Sequence, residues 1–355
     1  MSHRNVHMVY GFILFLALSV LGCSEKTDTF HTISKEAIQN QSNYYVLDPV
    51  VGHIHKSNVT FSYPWPEHKD GKITVKTDNF GFKRDSDIQQ EKQNKIRILV
   101  TGDSHTDGVI NNSESCCALL ENLLNKSSNK TFEVINGGCG FYYTRNYLRF
   151  LEKYSFLSPD VYIVILYGGN DFLESCKLER CQRSSNNDYY ERLKKINTID
   201  QGALWQGFNQ LYYFKFFPQS EQIAFNSMTA DLEKIKQICQ AKHIKFIVLL
   251  LPNKMDMEWS SDAARLNQCK ELLQLTDDDL QINEKLLAKM ANWLTANHIS
   301  HLNLSTVMKD QEQPVFWQKD YHLNDYGHKL IAEALFKNYK DLFLGIPTNQ
   351  PSAPK

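Results

Sequence analysis

The sequence predicts an α/β domain: a doubly wound, five-stranded parallel sheet with helices on both faces and a helical, aromatic-rich insertion after the third strand. Three observations predict it. Five short runs rich in Ile, Val and Leu have the length of buried parallel strands. They alternate with longer amphipathic stretches, as right-handed crossovers between parallel neighbours require. A long segment after the third run breaks that alternation. The 355 residues, 42% hydrophobic and 22% charged, suffice for a large core and exclude disorder along most of the chain. With 39 basic and 40 acidic side chains, the net charge of −1 gives no electrostatic ground for nucleic acid as a partner.

In order, the strands are expected at Lys95–Thr101, Thr131–Asn136, Val161–Tyr167, Lys245–Leu251 and His298–Leu304. Helical patterns fall at Cys116–Leu124, Thr144–Tyr154, Met228–Ala241, Ile282–Asn297 and Gly327–Tyr339. The domain is expected over residues 95–342, with 343–355 a flexible tail. The insertion, 172–226, carries Trp205, Phe208, Tyr212, Tyr213, Phe214, Phe216 and Phe217. It reads either as a lid facing substrate or as an extra helical layer that buries those rings.

The amino terminus has a different character. Arg4 precedes an apolar run from Met8 to Leu21. At about 14 residues it is shorter than the roughly 20 needed for a membrane-crossing helix. Residues 1–22 therefore read as a signal peptide. Val20-Leu21-Gly22-Cys23 resembles a bacterial lipobox, which implies lipidation of Cys23, export, and attachment to a membrane of the cell envelope. A signal anchor and plain secretion are the alternatives. Residues 23–94, with Pro49, Pro64 and Pro66, read as a tether and an irregular lead-in. Lipidation would leave seven of the eight cysteines, an odd number. Cys176 and Cys181 are the candidates for a local bridge, and Cys116 and Cys117 are expected to pack as small hydrophobes.

Four turns concentrate the chemistry. Gly102-Asp103-Ser104 follows the first strand and presents a serine at a strand-to-helix turn, where helix-start amides lack intrahelical partners. Asn136-Gly137-Gly138-Cys139-Gly140 follows the second, a turn whose bare N–H groups can approach a substrate oxygen. Gly168-Gly169-Asn170-Asp171 follows the third. Asp320-Tyr321-His322-Leu323-Asn324 precedes the last helix. Together they supply a nucleophile, oxyanion donors, and a base with an acid to orient it. The close histidine pairs His53/His55, His298/His301 and His322/His328 lack acidic or cysteine partners at ligand spacing, so no metal is expected.

In this chain order the four blocks resemble the SGNH hydrolases, or GDSL-type esterases and acyltransferases. Asn79-Phe80-Gly81-Phe82-Lys83-Arg84-Asp85 is similar to a segment found ahead of the GDS block in many exported bacterial members. The resemblance implies the flavodoxin-like fold of that family, no cofactor, Ser104 as nucleophile and His322 as general base. It implies Asp320 as the orienting acid, and an oxyanion hole built from Ser104, Gly140 and Asn170, with Gly138 the alternative glycine. The family's acid usually lies three residues before the histidine, where Lys319 stands. Asp320 lies two before, which leaves a Ser-His dyad or a backbone carbonyl open in its place. The expected function is that of an exported serine esterase acting on O-acyl esters, acetyl esters of carbohydrate first. An O-acyltransferase for envelope polysaccharide, a lipolytic esterase and a catalytically silent glycan-binding protein are the alternatives.

Overall fold

The computed structural model describes residues 44–177 and 187–348. The signal-like segment, Cys23 and Cys181 lie outside them. Five strands form the central sheet: β5 (Ile96–Gly102), β6 (Phe132–Asn136), β7 (Val161–Tyr167), β8 (Lys245–Leu251) and β9 (Ser300–Asn303). All pairs are parallel, in the order β6-β5-β7-β8-β9. The chain leaves β5 toward one edge and returns to its other side as β7. This reversal opens a crevice beyond the carboxyl ends of β5 and β7, where ligands bind in open α/β sheets.

Side-chain alternation assigns each strand residue to one face. Tyr162, Val164 and Leu166 of β7 pack with helices α3 (Thr144–Tyr154), α4 (Gln219–Ala241) and α5 (Ile282–Ala296). Val161, Ile163 and Ile165 pack on the opposite face with α2 (Cys116–Ser127) and α6 (Asp325–Leu344). The alternation of strands and helices includes α1 (Ser104–Asp107), a single turn that follows β5. Cys116 and Cys117 are buried in the first turn of α2, in keeping with a packing role.

Two boundaries differ from expectation. The lead-in is not irregular where it is described: β1 (Tyr45–Asp48) pairs with β2 (Gly52–His55), and β3 (Thr60–Pro64) with β4 (Lys72–Lys76), as antiparallel hairpins. Their strands are four or five residues long and only partly apolar, so no sustained period marks them in sequence. At the other end α6 runs to Leu344, and Phe343 and Ile346 are buried, so the packed domain continues past 342 into the expected tail. Lys130 Nζ donates to the Leu344 and Ile346 carbonyls and satisfies the end of this helix.

The insertion forms an extra helical layer. Phe208, Leu211 and Tyr212 bury against Met255, Leu266, Leu273 and Tyr321 in a third apolar cluster. Its middle, Leu204–Phe208, is a kink between two helices, with Gly207 at the non-helical φ 175°, ψ −56°.

Candidate active site

Ser104 owes its place to close packing of backbone. A Cβ on Gly102 would overlap the Thr106 side chain, and one on Gly138 would overlap the Thr106–Asp107 backbone. The two glycines thus allow α1 to lie against both β5 and the turn after β6. Asp103 caps α1 by accepting from the His105 N–H at 2.9 Å. Gly108, at φ 83°, ends the turn. The buried Lys83 then donates to the carbonyls of Asp107 and Gly108. From the hairpin, His55 Nε2 lies 3.1 Å from Asp107 Oδ2, and the Tyr44 hydroxyl donates to Oδ1 at 3.4 Å. Burial alone would raise the Asp107 carboxyl, but His55 and Lys83 hold it below its usual range. The lead-in is therefore a brace for the helix that carries Ser104.

His322 enters from the opposite side, on the turn before α6. Its Nε2 lies 2.7 Å from Ser104 Oγ, and its Nδ1 lies 2.6 Å from Asp320 Oδ1. With Nδ1–H donating to the carboxylate, Nε2 is the acceptor for the Ser104 hydroxyl. Burial works against a charged ring, but the Asp320 carboxylate outweighs it and holds the His322 pKa above the ordinary 6.5. Tyr321, between them, has φ 69°. Its hydroxyl donates to Asp200 Oδ2 at 2.9 Å, and Lys254 Nζ sits 4.3 Å from its ring centroid. The spacing of two is thus compatible with contact, because the middle residue turns left-handed.

Asn170 follows β7, the strand beside β5, and is half-buried; its Oδ1 is buried with no partner among the described residues. Asp171, next to it, accepts from the Tyr147 hydroxyl at 3.0 Å and the Tyr167 N–H at 3.0 Å, which fixes the turn. Burial, and then the nearby Asp103, push the Asp171 carboxyl well above its usual range. Burial also raises Asp103, to about 7.

In the second turn the Gly138 N–H is already used, donating to Asn136 Oδ1 at 3.0 Å. The Gly140 carbonyl lies 2.7 Å from His53 Nε2, and a Cβ on Gly140 would meet the Tyr45 hydroxyl. The structure thus brings Ser104, His322 and Asp320 into one hydrogen-bonded line, sets Asn170 on the adjoining strand end, and holds the Gly138 N–H against Asn136. Gln206, whose Nε2 lies 3.4 Å from His322 Nε2, stands in no sequence motif.

A serine hydroxyl bonded to an imidazole that is itself bonded to a carboxylate can be deprotonated as it attacks a carbonyl carbon. Residues 100–330, which hold all three groups, match the GDSL-like Lipase/Acylhydrolase family. The chain belongs to this family. It is accordingly a GDSL-type acylhydrolase, an enzyme of ester bonds. Among solved structures, it is similar to a lipase from a goat rumen metagenome, at 16% identity over 68% of this chain and 96% of that one, with a TM-score of 0.40. It is also similar to a GDSL-like lipase from Bacteroides thetaiotaomicron, at 16% identity over 70% and 88% with a TM-score of 0.37. The psychrotrophic esterase EstA from Pseudoalteromonas sp. is 13% identical over 70% and 100%, with a TM-score of 0.38. No curated protein matches the chain.

Proposed function

We propose that this acylhydrolase is an exported serine esterase that removes O-acyl groups, acetyl first, from carbohydrate through an acyl-enzyme. The carrying observation is the line from Ser104 Oγ through His322 to Asp320, at 2.7 and 2.6 Å. In this reading Ser104 Oγ attacks the acyl carbon as its proton passes to His322 Nε2, and Asp320 stabilises the imidazolium. The tetrahedral oxyanion is held by the Ser104 N–H, which the helix start leaves without an intrahelical partner, and by the Asn170 side-chain amide. In this reading the Gly140 N–H, on the turn after β6, is the third donor. The bond to the alcohol then breaks as the Nε2 proton moves to the leaving oxygen. Water then attacks the acyl carbon as one of its protons passes to Nε2, and the second tetrahedral intermediate collapses as Nε2 hands that proton to Ser104 Oγ, which releases the carboxylic acid and restores the serine.

Export rests on the apolar run from Met8 and on Cys23 at the lipobox-like site, which would tether the enzyme to the envelope. The carbohydrate reading rests on the expectation that an exported enzyme of this family meets glycan esters. A surface hollow lined by Glu67, Trp317, Gln318, Asn324 and Tyr326, among others, lies on the turn that carries His322, but its lining does not include Ser104, Asn170 or His322. Trp317 N–H donates to the His322 carbonyl at 2.8 Å, so the hollow adjoins the reacting turn.

The test compares hydrolysis of acetyl, butyryl and octanoyl nitrophenyl esters with release of acetate from an acetylated oligosaccharide. The reading expects kcat/KM to fall with chain length and acetate to be released from the sugar. A preference for octanoyl would replace it with a lipolytic esterase.

A further inference from the structure

We infer that Gln206, from the insertion, holds the alcohol-side oxygen of the ester: the leaving oxygen in acylation and the incoming oxygen in deacylation. The inference rests on the acyl-enzyme reading above and adds a residue to it.

The orientation of this amide follows from a chain of bonds that begins outside the reacting groups. The Leu323 N–H points at His105 Nδ1, at 3.3 Å, which makes Nδ1 the acceptor and places the ring proton on Nε2. His105 is fully buried against the Tyr167 ring, with centroids 3.8 Å apart, and burial holds it neutral. Its Nε2–H therefore donates to Gln206 Oε1 at 3.0 Å. Because the amide oxygen is taken up by His105, the NH₂ group must face the other way, toward His322 Nε2 at 3.4 Å. The Gln206 backbone is fixed as well, since its carbonyl accepts from the Tyr167 hydroxyl at 2.8 Å. The kink at Gly207, within Leu204–Phe208, lies next to the residue.

The NH₂ group is badly matched to its present neighbour. His322 Nε2 has one lone pair, and the Ser104 hydroxyl already uses it at 2.7 Å. A contact of 3.4 Å to the same nitrogen is a weak second claim on it. An oxygen that exchanges a proton with Nε2 must come within hydrogen-bond reach of that atom, and so beside the Gln206 amide. In acylation that oxygen parts from the acyl carbon and takes the Nε2 proton. In deacylation it bonds to the acyl carbon and gives its proton to Nε2. At both moments the Gln206 N–H can donate to it, without gaining or losing a proton itself. His105 is the positioning residue that aims this donor.

The experiment uses a series of acetate esters in which only the alcohol changes, from 4-nitrophenol through phenol to ethanol. The wild type is compared with Gln206→Leu and with Gln206→Glu, which keeps an acceptor for His105 and the side chain's length. An alkoxide leaving group needs the donor, and 4-nitrophenolate does not. Loss of one such donor corresponds to about 10²-fold in turnover. Both variants are therefore expected to lose about 10²-fold in kcat/KM on ethyl acetate and less than about 10-fold on 4-nitrophenyl acetate. Equal losses along the series, or none, would overturn the role, because a structural defect affects every ester alike. Labelling of Ser104 by a fluorophosphonate separates the two failures. A wild type that labels and turns over, with variants uniformly slowed, removes only Gln206. A wild type that neither labels nor turns over removes the underlying mechanism too.

Discussion

Asp320 and His322 are joined at 2.6 Å, Oδ1 to Nδ1, across a single residue that stands in the left-handed region. An aromatic side chain at φ 69° is strained by roughly 1–3 kcal/mol and persists only where its surroundings hold it. Here the surroundings come from the insertion and from the segment after β8. Asp200 accepts from the Tyr321 hydroxyl, Gly202 leaves room for the Lys319 carbonyl, and Lys254 lies over the ring. The extra helical layer thus shapes the turn that carries the acid and the base.

The acid's role is expected to show in both rate and pH dependence. Asp320→Asn can donate to Nδ1 and so favours the tautomer with the proton on Nε2, which cannot accept from Ser104. A loss of about 10³–10⁴-fold in kcat is expected. In the wild type His322 must be neutral to act as base, and Asp320 holds its pKa above 6.5, so activity falls as pH drops through a value above 6.5. Removing the carboxylate leaves burial, which disfavours the cation, and the acid limb should move to lower pH. A kcat/KM profile of both proteins measures it; an unmoved limb would contradict the assignment.

Tyr321→Phe tests the clamp on the turn. It removes the donor at 2.9 Å from the buried Asp200 and leaves that oxygen only the longer ion pair with Arg265, at 3.7 Å. The cost is about 1–3 kcal/mol, or roughly 2–5 °C in Tm for a chain of this length. A fall in kcat with little change in KM should accompany it, since the base loosens and substrate contacts remain. Calorimetry and steady-state kinetics on one preparation check both; an unchanged Tm and kcat would show that the phenol does not hold the turn.

Asn170→Ala removes the side-chain donor assigned to the oxyanion. Its Oδ1 has no protein partner among the described residues, so the change breaks no bond at that atom. We expect about 10²–10³-fold lower kcat with KM nearly constant. A change confined to KM would place Asn170 in ground-state binding instead.

Much of this was legible in the sequence. The Ile/Val-rich runs locate the five strands because parallel strands buried on both faces need continuous apolar residues. The GDS, GGND and DYH blocks locate Ser104, Asn170 and His322 because each follows a strand or precedes the last helix. The hairpins at 45–76 were not legible, since their stability comes from packing on the domain: Tyr44 and His55 reach Asp107, and His53 reaches Gly140. Gln206 is separated from His322 by 116 residues and lies in an amphipathic segment with no motif of its own. Spacing does not distinguish Gly140 from Gly138, because the direction of a backbone N–H is set by acceptors that spacing does not reveal, Asn136 Oδ1 in the case of Gly138.

The central claim is that Ser104 is a nucleophile made reactive by His322, and covalent labelling tests it most directly. The folded protein is treated with a fluorophosphonate, and the adduct is located by peptide mass analysis, alongside hydrolysis of 4-nitrophenyl acetate by the wild type and Ser104→Ala. The account expects one adduct, on Ser104, slowed strongly in His322→Ala, and no turnover above background in Ser104→Ala. A folded wild type that takes no adduct at Ser104, or a Ser104→Ala protein that still hydrolyses the ester at the wild-type rate, would contradict it.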